Sequence, residues 1–358
     1  MRTLDRYIAT LFLKTLFFSI MALTGLFLFQ KFMGEMLDHQ FPLRQVLFYD
    51  LMSVPEIIVQ MVPPSVLVAT VLTLSGMSRS NELVACYSIG VGSKQIIAVL
   101  LAIVFMVSCL NVVMQDRILP PLYRKRVSYY WREMKNRADF FLDFKQNKIW
   151  YRSKNLIYNL RTFDPKSNTI YGMSVYNFDE SFNLLQVVDA ERADFTPTGW
   201  KLKDGTVTVF SKGEPFPLNR RFQEKELVIN ESPTDFKEIE KEVDGLRLME
   251  LYRYIKKTRE VGADTKNYEV KLHSRISLSF IPVIMCTLGF PFSLRTRREG
   301  GMAKDLGICL GVTFFYWLFY SVGLSLGTNG SLPPWLAAWL PSAVFGIVAG
   351  VLVTRRAV

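Results

Sequence analysis

Six apolar segments, each long enough to cross a membrane, dictate how this chain of 358 residues can fold. At about 1.5 Å per residue, a helix of ~20 residues covers the ~30 Å hydrocarbon layer of a bilayer. Three segments precede a polar central region and three follow it. The sequence therefore predicts a helical membrane protein with one inserted extramembrane domain. The segments are 7–30, 54–75, 96–114, 276–294, 306–326 and 335–353.

Residues 119–274, between the two groups of segments, have the pattern of a β-rich domain. Short runs of Ile, Val, Tyr, Phe and Thr alternate there with turn residues, which is typical of antiparallel strands. The Asp204-Gly205 pair predicts a hairpin turn, and the helical spacing over 246–260 predicts an amphipathic helix. We therefore expect an antiparallel sandwich or roll between two membrane regions, residues 1–118 and 275–358.

The orientation in the membrane follows from Lys and Arg in the short loops, because these residues are enriched on the cytoplasmic side. One set of loops and both termini hold ten of them, and the opposite loops hold two. This bias predicts cytoplasmic N- and C-termini and a β-rich domain on the other side. The ten are Arg2, Arg6, Arg79, Lys94, Arg295, Arg297, Arg298, Lys304, Arg355 and Arg356, and the two are Lys31 and Arg44.

The loop between the second and third segments contains a short predicted helix, residues 80–90. Ser78 or Ser80 can cap its start, Glu82 lies in the first turn, where the helix dipole favours a carboxylate, and Gly90 can end it. A helix this short is marginal in water unless a partner packs on it. We interpret it as a docking helix for a soluble partner; an ordinary ordered loop is the alternative. Its apolar side chains are Leu83, Val84, Tyr87 and Ile89.

No motif for nucleotide hydrolysis is found in the sequence. The run from Gly90 to Lys94 lacks the glycine spacing of a phosphate-binding loop, and neither a nucleophile elbow nor a zinc-protease motif occurs. The two histidines and four cysteines show no metal-ligand spacing. We therefore predict a chain that is not an enzyme, has no cofactor or metal, and draws energy from a partner.

The net charge of +11 points to anionic lipid rather than nucleic acid, because no recognition helix or aromatic RNA platform accompanies it. Basic side chains at the outer ends of the first and third segments can pair with lipid phosphates. They can equally be snorkelling or solvated residues. The candidates for headgroup contact are Lys31, Arg124, Arg126 and Arg132.

Four stretches carry a resemblance to a known family: LDRYI, SVPE, RSNELVACYSIGVG, and the run from LYRYIKKTRE to LRTRREGG. Over essentially the whole chain they resemble the LptF/LptG permease family of the lipopolysaccharide exporter. The LDRYI and RSNELV forms resemble the LptG branch more than the LptF branch, although an LptF-type subunit is an alternative. The resemblance implies a periplasmic jellyroll-like domain inserted between two sets of three transmembrane helices.

The resemblance also implies partners. A permease of this family pairs with an LptF-type permease in the inner membrane of a Gram-negative bacterium. Each permease sets its cytoplasmic helix into a groove of an LptB-type ATPase dimer, which binds the ATP; the matching residues here are Glu82 and 83–90. Lipopolysaccharide is extracted from the outer leaflet near the first and fifth spans and passed to LptC-type and LptA-type periplasmic jellyroll proteins.

Aromatic residues on the first and fifth segments can form the apolar wall that such a lipid requires, or a plain lipid-facing surface. Those that we select as candidates for the acyl-chain cavity are Phe18, Phe27, Phe315 and Phe319.

Two other function classes are compatible with part of the pattern. A scaffold or sensor would bind a ligand outside and signal through the loop helix. A secondary transporter usually needs a buried proton or ion relay, and the ionisable residues inside the segments are Lys14 and Glu56, both near the ends. The sequence therefore favours a permease driven by a partner ATPase.

Overall fold

The structure, a computed structural model, divides into two compact units. One comprises Met1–Leu119 and Lys266–Val358, and the other Pro120–Thr265. The described residues are 3–38, 42–134, 149–153, 156–164, 168–179, 183–196, 199–210, 217–227, 245–260, 264–295 and 302–356. In chain order the helices are α1 (Thr3–Asp38), α2 (Leu43–Arg79), α3 (Glu82–Ser88), α4 (Ser93–Val113), α5 (Leu119–Tyr129), α6 (Leu248–Glu260), α7 (Lys266–Arg295), α8 (Met302–Thr328) and α9 (Pro334–Arg356), with π-helical turns at Met114–Ile118 and Tyr130–Met134.

Six helical runs among the described residues are long and apolar enough to cross a membrane, which confirms the predicted architecture. The third run extends from Ser93 to Tyr129, through α4, a π-helical turn and α5. The fourth begins at Lys266, ahead of the predicted start at residue 276. Hydropathy marks the apolar part of a helix, and here regular helical structure continues into polar turns beyond it.

Helices α2 and α7 form the centre of the unit that comprises Met1–Leu119 and Lys266–Val358, called the membrane unit below. Their most apolar stretches are 72% and 61% buried, against 22% in both α1 and α8. Small residues permit the close approach of the two central helices: a Cβ atom on Gly289 of α7 would stand 3.0 Å from the Thr70 side chain of α2. Because helix contacts in lipid depend on close packing, α2 and α7 are the scaffold of this unit.

The second unit contains a six-stranded antiparallel sheet whose strands lie in sequence order. The predicted antiparallel domain is confirmed, and its described strands run up and down in one sheet rather than in two facing sheets. Its core includes Tyr158 and Trp200, which are almost fully buried. The strands are β1 (Ile149–Ser153), β2 (Leu156–Asp164), β3 (Thr169–Phe178), β4 (Leu184–Thr196), β5 (Gly199–Val209) and β6 (Leu218–Leu227).

The predicted hairpin turn at Asp204-Gly205 is wrong, because both residues lie inside β5. Gly205 pairs with Ala190 of β4, and the pairing continues on both sides of it. Asp204 has a φ of 50°, a left-handed conformation that Asp tolerates. A Cβ atom on Gly205 would overlap the backbone oxygen of Asp189. The Asp-Gly signal therefore marks a kink with close backbone contact inside a strand.

Candidate functional site

Helix α3 is the element that the sequence predicts to be a docking helix. It spans Glu82–Ser88 and is shorter than the predicted 80–90. The predicted serine cap is wrong: Asn81 occupies the N-cap position with a left-handed φ of 60°, and Ser80 caps the end of α2. The Ser80 hydroxyl donates to the backbone oxygen of Gly76 at 3.2 Å. Gly90 has a φ of 83°, the conformation expected of a glycine that follows a helix end.

One face of α3 is anchored in the membrane unit. Leu83 and Cys86 are 3% and 5% exposed and belong to the same core cluster as Phe12 of α1. Burial, and then the Glu82 carboxylate, raise the pKa of the Cys86 thiol, so it stays protonated at neutral pH. The opposite face is open. Its apolar side chains are Val84, Tyr87 and Ile89, with 38%, 37% and 73% of their surface exposed.

The start of α1 contacts both α3 and the first turn of α4. The Tyr7 hydroxyl donates to Glu82 Oε2 of α3 at 3.0 Å, and Gln95 Nε2 of α4 donates to Asp5 Oδ1 at 3.3 Å. Within the loop, the Ser80 hydroxyl donates to Glu82 Oε1 at 2.8 Å. Glu82 therefore orients α3 against α1 through hydrogen bonds, and both of its carboxylate oxygens are engaged.

An ion pair joins the end of α2 to the start of α8. Arg79 Nη2 lies 2.8 Å from Asp305 Oδ2, and the Asp305 side chain is 1% exposed. Asp305 is in the first turn of α8, where the helix dipole also favours a carboxylate. The last residue of α2, just ahead of the α3 loop, is thus fixed to the fifth candidate span.

The predicted headgroup candidate Lys31 lies among carboxylates of its own chain. Its ammonium nitrogen is 3.1 Å from Asp50 Oδ1 and 3.6 Å from Glu35 Oε1, and it donates to the Ser53 hydroxyl at 2.6 Å. The Asp50 side chain is 2% exposed. Lys31 therefore compensates a buried charge between α1 and α2, and a lipid phosphate at this point would compete with Asp50.

The remaining basic candidates lie in the other unit. Arg124 donates through Nε to the Gly245 backbone oxygen at 2.9 Å and pairs with Glu250 at 3.1 Å. The Arg126 guanidinium lies over the Tyr123 ring, 5.2 Å from its centre. The side chain of Arg132 lies outside the described part of the chain. Arg124 thus ties α5 to the start of α6.

The predicted acyl-chain candidates are exposed on the surface of the membrane unit. Neighbouring aromatics stand edge to face, with ring centres of Phe17 and Phe18 5.8 Å apart and those of Phe314 and Phe315 5.7 Å apart. Phe315 and Phe319, four residues apart, share one face of α8, whereas Phe18 and Phe27, nine residues apart, lie on opposite sides of α1. The candidates are Phe18, Phe27, Phe315 and Phe319, with 69%, 37%, 57% and 53% of their surface exposed.

The ion-pair partners Asp50 and Asp305 were not predicted from the sequence. Each acid lies just before a predicted apolar segment. A carboxylate at that position could have indicated that a cation from another helix pairs with it. Within the described ranges, no group of three or more His, Cys, Asp or Glu side chains is arranged to hold a metal ion.

Comparison with known proteins agrees with this architecture. The family model described as lipopolysaccharide export system permease LptF/LptG matches residues 6–355. The chain is similar to the lipopolysaccharide export system permease protein LptG of Haemophilus influenzae, with 24% identity over 99% of each chain. Since the family match covers α1 to α9 and the sheet between them, the chain belongs to the LptF/LptG family of lipopolysaccharide export system permeases.

Proposed function

We propose that this permease is an LptG-type subunit whose α3 helix docks on an LptB-type ATPase dimer. As a member of its family the chain is a membrane subunit without catalytic activity of its own. ATP would therefore be bound and hydrolysed by the partner. The name of the Haemophilus influenzae relative supports the LptG branch over the LptF branch.

The exposed face of α3 is the observation that carries the proposal. A seven-residue helix is unstable alone, yet Leu83 and Cys86 fix it to the membrane unit and leave Val84, Tyr87 and Ile89 outward. Leu83, which we predicted to contact the ATPase, is instead buried in the core of the membrane unit and anchors the helix there. The proposed contact residues are therefore Val84 and Tyr87, with Glu82 and Gly90 at the two ends of the helix.

The lipid path is proposed along α1 and α8. Their exposed aromatic side chains suit the acyl chains of lipopolysaccharide, and an LptF-type permease would complete the cavity. The lipid would leave the outer leaflet of the inner membrane there and pass to LptC-type and LptA-type jellyroll proteins. The loop charges support cytoplasmic termini and a periplasmic, jellyroll-like β-domain at 119–274, between membrane regions 1–118 and 275–358.

The proposed headgroup contacts are those predicted from the sequence, and the ion pairs refine them. A phosphate approaching Lys31 or Arg124 must compete with Asp50 or Glu250, each 3.1 Å from its partner. Replacing one charge-assisted contact by another of similar strength permits binding and release of the lipid. The four proposed contacts are Lys31, Arg124, Arg126 and Arg132.

Co-purification tests the docking proposal. We expect Val84→Asp and Tyr87→Asp each to reduce recovery of the nucleotide-binding subunit by about tenfold or more, since burying an unpaired carboxylate costs more than the ~1.4 kcal/mol of a tenfold change. Val209→Asp is the matched control, because Val209 of β5 is also an exposed valine, with 41% of its surface exposed. This variant should leave the recovery unchanged. Wild-type recovery with both α3 variants would refute the proposal.

A further inference from the structure

The loop that carries α3, residues 80–92, and the last residue of α2 just before it are tied by side chains to two helices distant in sequence. The guanidinium of Arg79, the last residue of α2, reaches the Asp305 carboxylate of α8 at 2.8 Å. Glu82, the first residue of α3, accepts a hydrogen bond from Tyr7 of α1 at 3.0 Å. Besides its covalent links to α2 and α4, the loop is therefore connected directly to α1, and through the end of α2 to α8.

The contact with α8 is the stronger of the two. Asp305 is 1% exposed and Arg79 is 40% exposed, and Asp305 Oδ1 has no hydrogen-bond partner in the described part of the chain. A buried carboxylate that loses its cation is left charged in a poorly solvated site, which is strongly unfavourable. The start of α8 should therefore follow Arg79 when the end of α2 moves.

The two connected helices also carry the exposed aromatic side chains that were selected as acyl-chain candidates. The most apolar stretch is 22% buried in both α1 and α8. Each helix therefore contacts the core along one side only, with Phe12 and Tyr316 buried, and leaves the rest of its apolar surface uncovered by this chain. Helix α8 is continuous from Met302 to Thr328 and contains no proline, so a displacement of its first turn is carried along its length. A movement of the α3 loop and the end of α2 is thus passed through the Arg79–Asp305 contact to α8, which carries part of the proposed lipid path.

We propose that the Arg79–Asp305 ion pair transmits the movement of α3 to α8 during transport, which makes Arg79 and Asp305 positioning residues. The inference rests on the proposed function of α3 as the ATPase-docking helix. The Tyr7–Glu82 hydrogen bond supplies the corresponding, more exposed link to α1. Without the ion pair, the ATPase still docks and hydrolyses ATP, but its movement no longer displaces the aromatic face of α8.

The test uses the complete transporter, purified with its ATPase and periplasmic partners and reconstituted in vesicles containing lipopolysaccharide. ATP hydrolysis and delivery of lipopolysaccharide to the periplasmic acceptor are measured together. For Asp305→Asn and Arg79→Gln we expect retained ATPase subunits and hydrolysis, and about tenfold less lipid delivered per ATP, within the usual range of coupling between sites. The exchange Arg79→Asp with Asp305→Arg should restore most of the ratio.

Lys201→Gln is the matched control, because Lys201 pairs with Glu224 at 2.7 Å on the surface of the sheet, and its ratio should stay unchanged. Arg79→Lys, which keeps the charge, provides a milder variant if the neutral ones do not fold. An unchanged ratio in the single variants, or loss of the ATPase subunit from them, would overturn the inference. Absence of any ATPase subunit from the wild-type complex would instead refute the proposed function.

Discussion

The central and peripheral helices of the membrane unit differ in what their apolar surface contacts. Helices α2 and α7 bury 72% and 61% of their most apolar stretches within this chain, whereas α1 and α8 bury 22% each. All four are apolar enough to cross a membrane. Hydropathy therefore identifies the spans, and burial separates the scaffold from the surfaces available to lipid or another subunit.

The largest expected effect comes from removing a central aromatic ring. Phe290 of α7 is 1% exposed, so Phe290→Ala should lower the free energy of unfolding by about 3 kcal/mol through loss of packing. Phe315→Ala of α8 is the matched control, because its ring is 57% exposed. Thermal unfolding in the same detergent measures both variants. Equal destabilisation by the two substitutions would contradict the distinction between central and peripheral helices.

A smaller effect is expected where a peripheral helix joins the centre. Lys31→Met removes the cation of the buried Asp50 and should destabilise the membrane unit by about 2 kcal/mol, less than a fully buried pair because Lys31 is 25% exposed. Lys14→Met on the exposed side of α1 should change the stability little. Thermal unfolding again measures the change. Adding Asp50→Leu to Lys31→Met should recover stability, and failure to do so would contradict the assigned role of the pair.

The smallest change in stability is expected on the aromatic face of α8. Phe319→Ala should alter the free energy of unfolding by less than about 0.5 kcal/mol, since surface substitutions rarely exceed that. It should nevertheless reduce crosslinking of lipopolysaccharide to α8. Wild-type crosslinking in Phe319→Ala together with Phe315→Ala would show that this face does not contact the lipid.

The six spans and the antiparallel domain could be predicted because hydropathy and strand alternation are repeated over many residues. Local signals were less specific. An Asp-Gly pair tolerates left-handed backbone conformations both in a turn and in a strand kink, so Asp204 and Gly205 could not be assigned from sequence. A serine near a helix boundary can belong to either neighbour, as Ser80 does.

The short helix of the candidate site was predicted from the sequence, but its buried face was not. Helix α3 is too short for its periodicity to show which face is buried, so Leu83 was placed on the docking face although it lies in the core. The Arg79–Asp305 and Lys31–Asp50 pairs depend on how helices pack against one another, and no local pattern records that packing.

Photocrosslinking from Ile89, the most exposed apolar side chain of the α3 loop at 73%, tests the docking of this loop on an ATPase most directly. With a crosslinking residue at this position in intact cells, we predict an adduct with a cytoplasmic nucleotide-binding subunit. Absence of that adduct, with the same position labelled from outside by a membrane-impermeant reagent, would contradict both the docking and the orientation in the membrane.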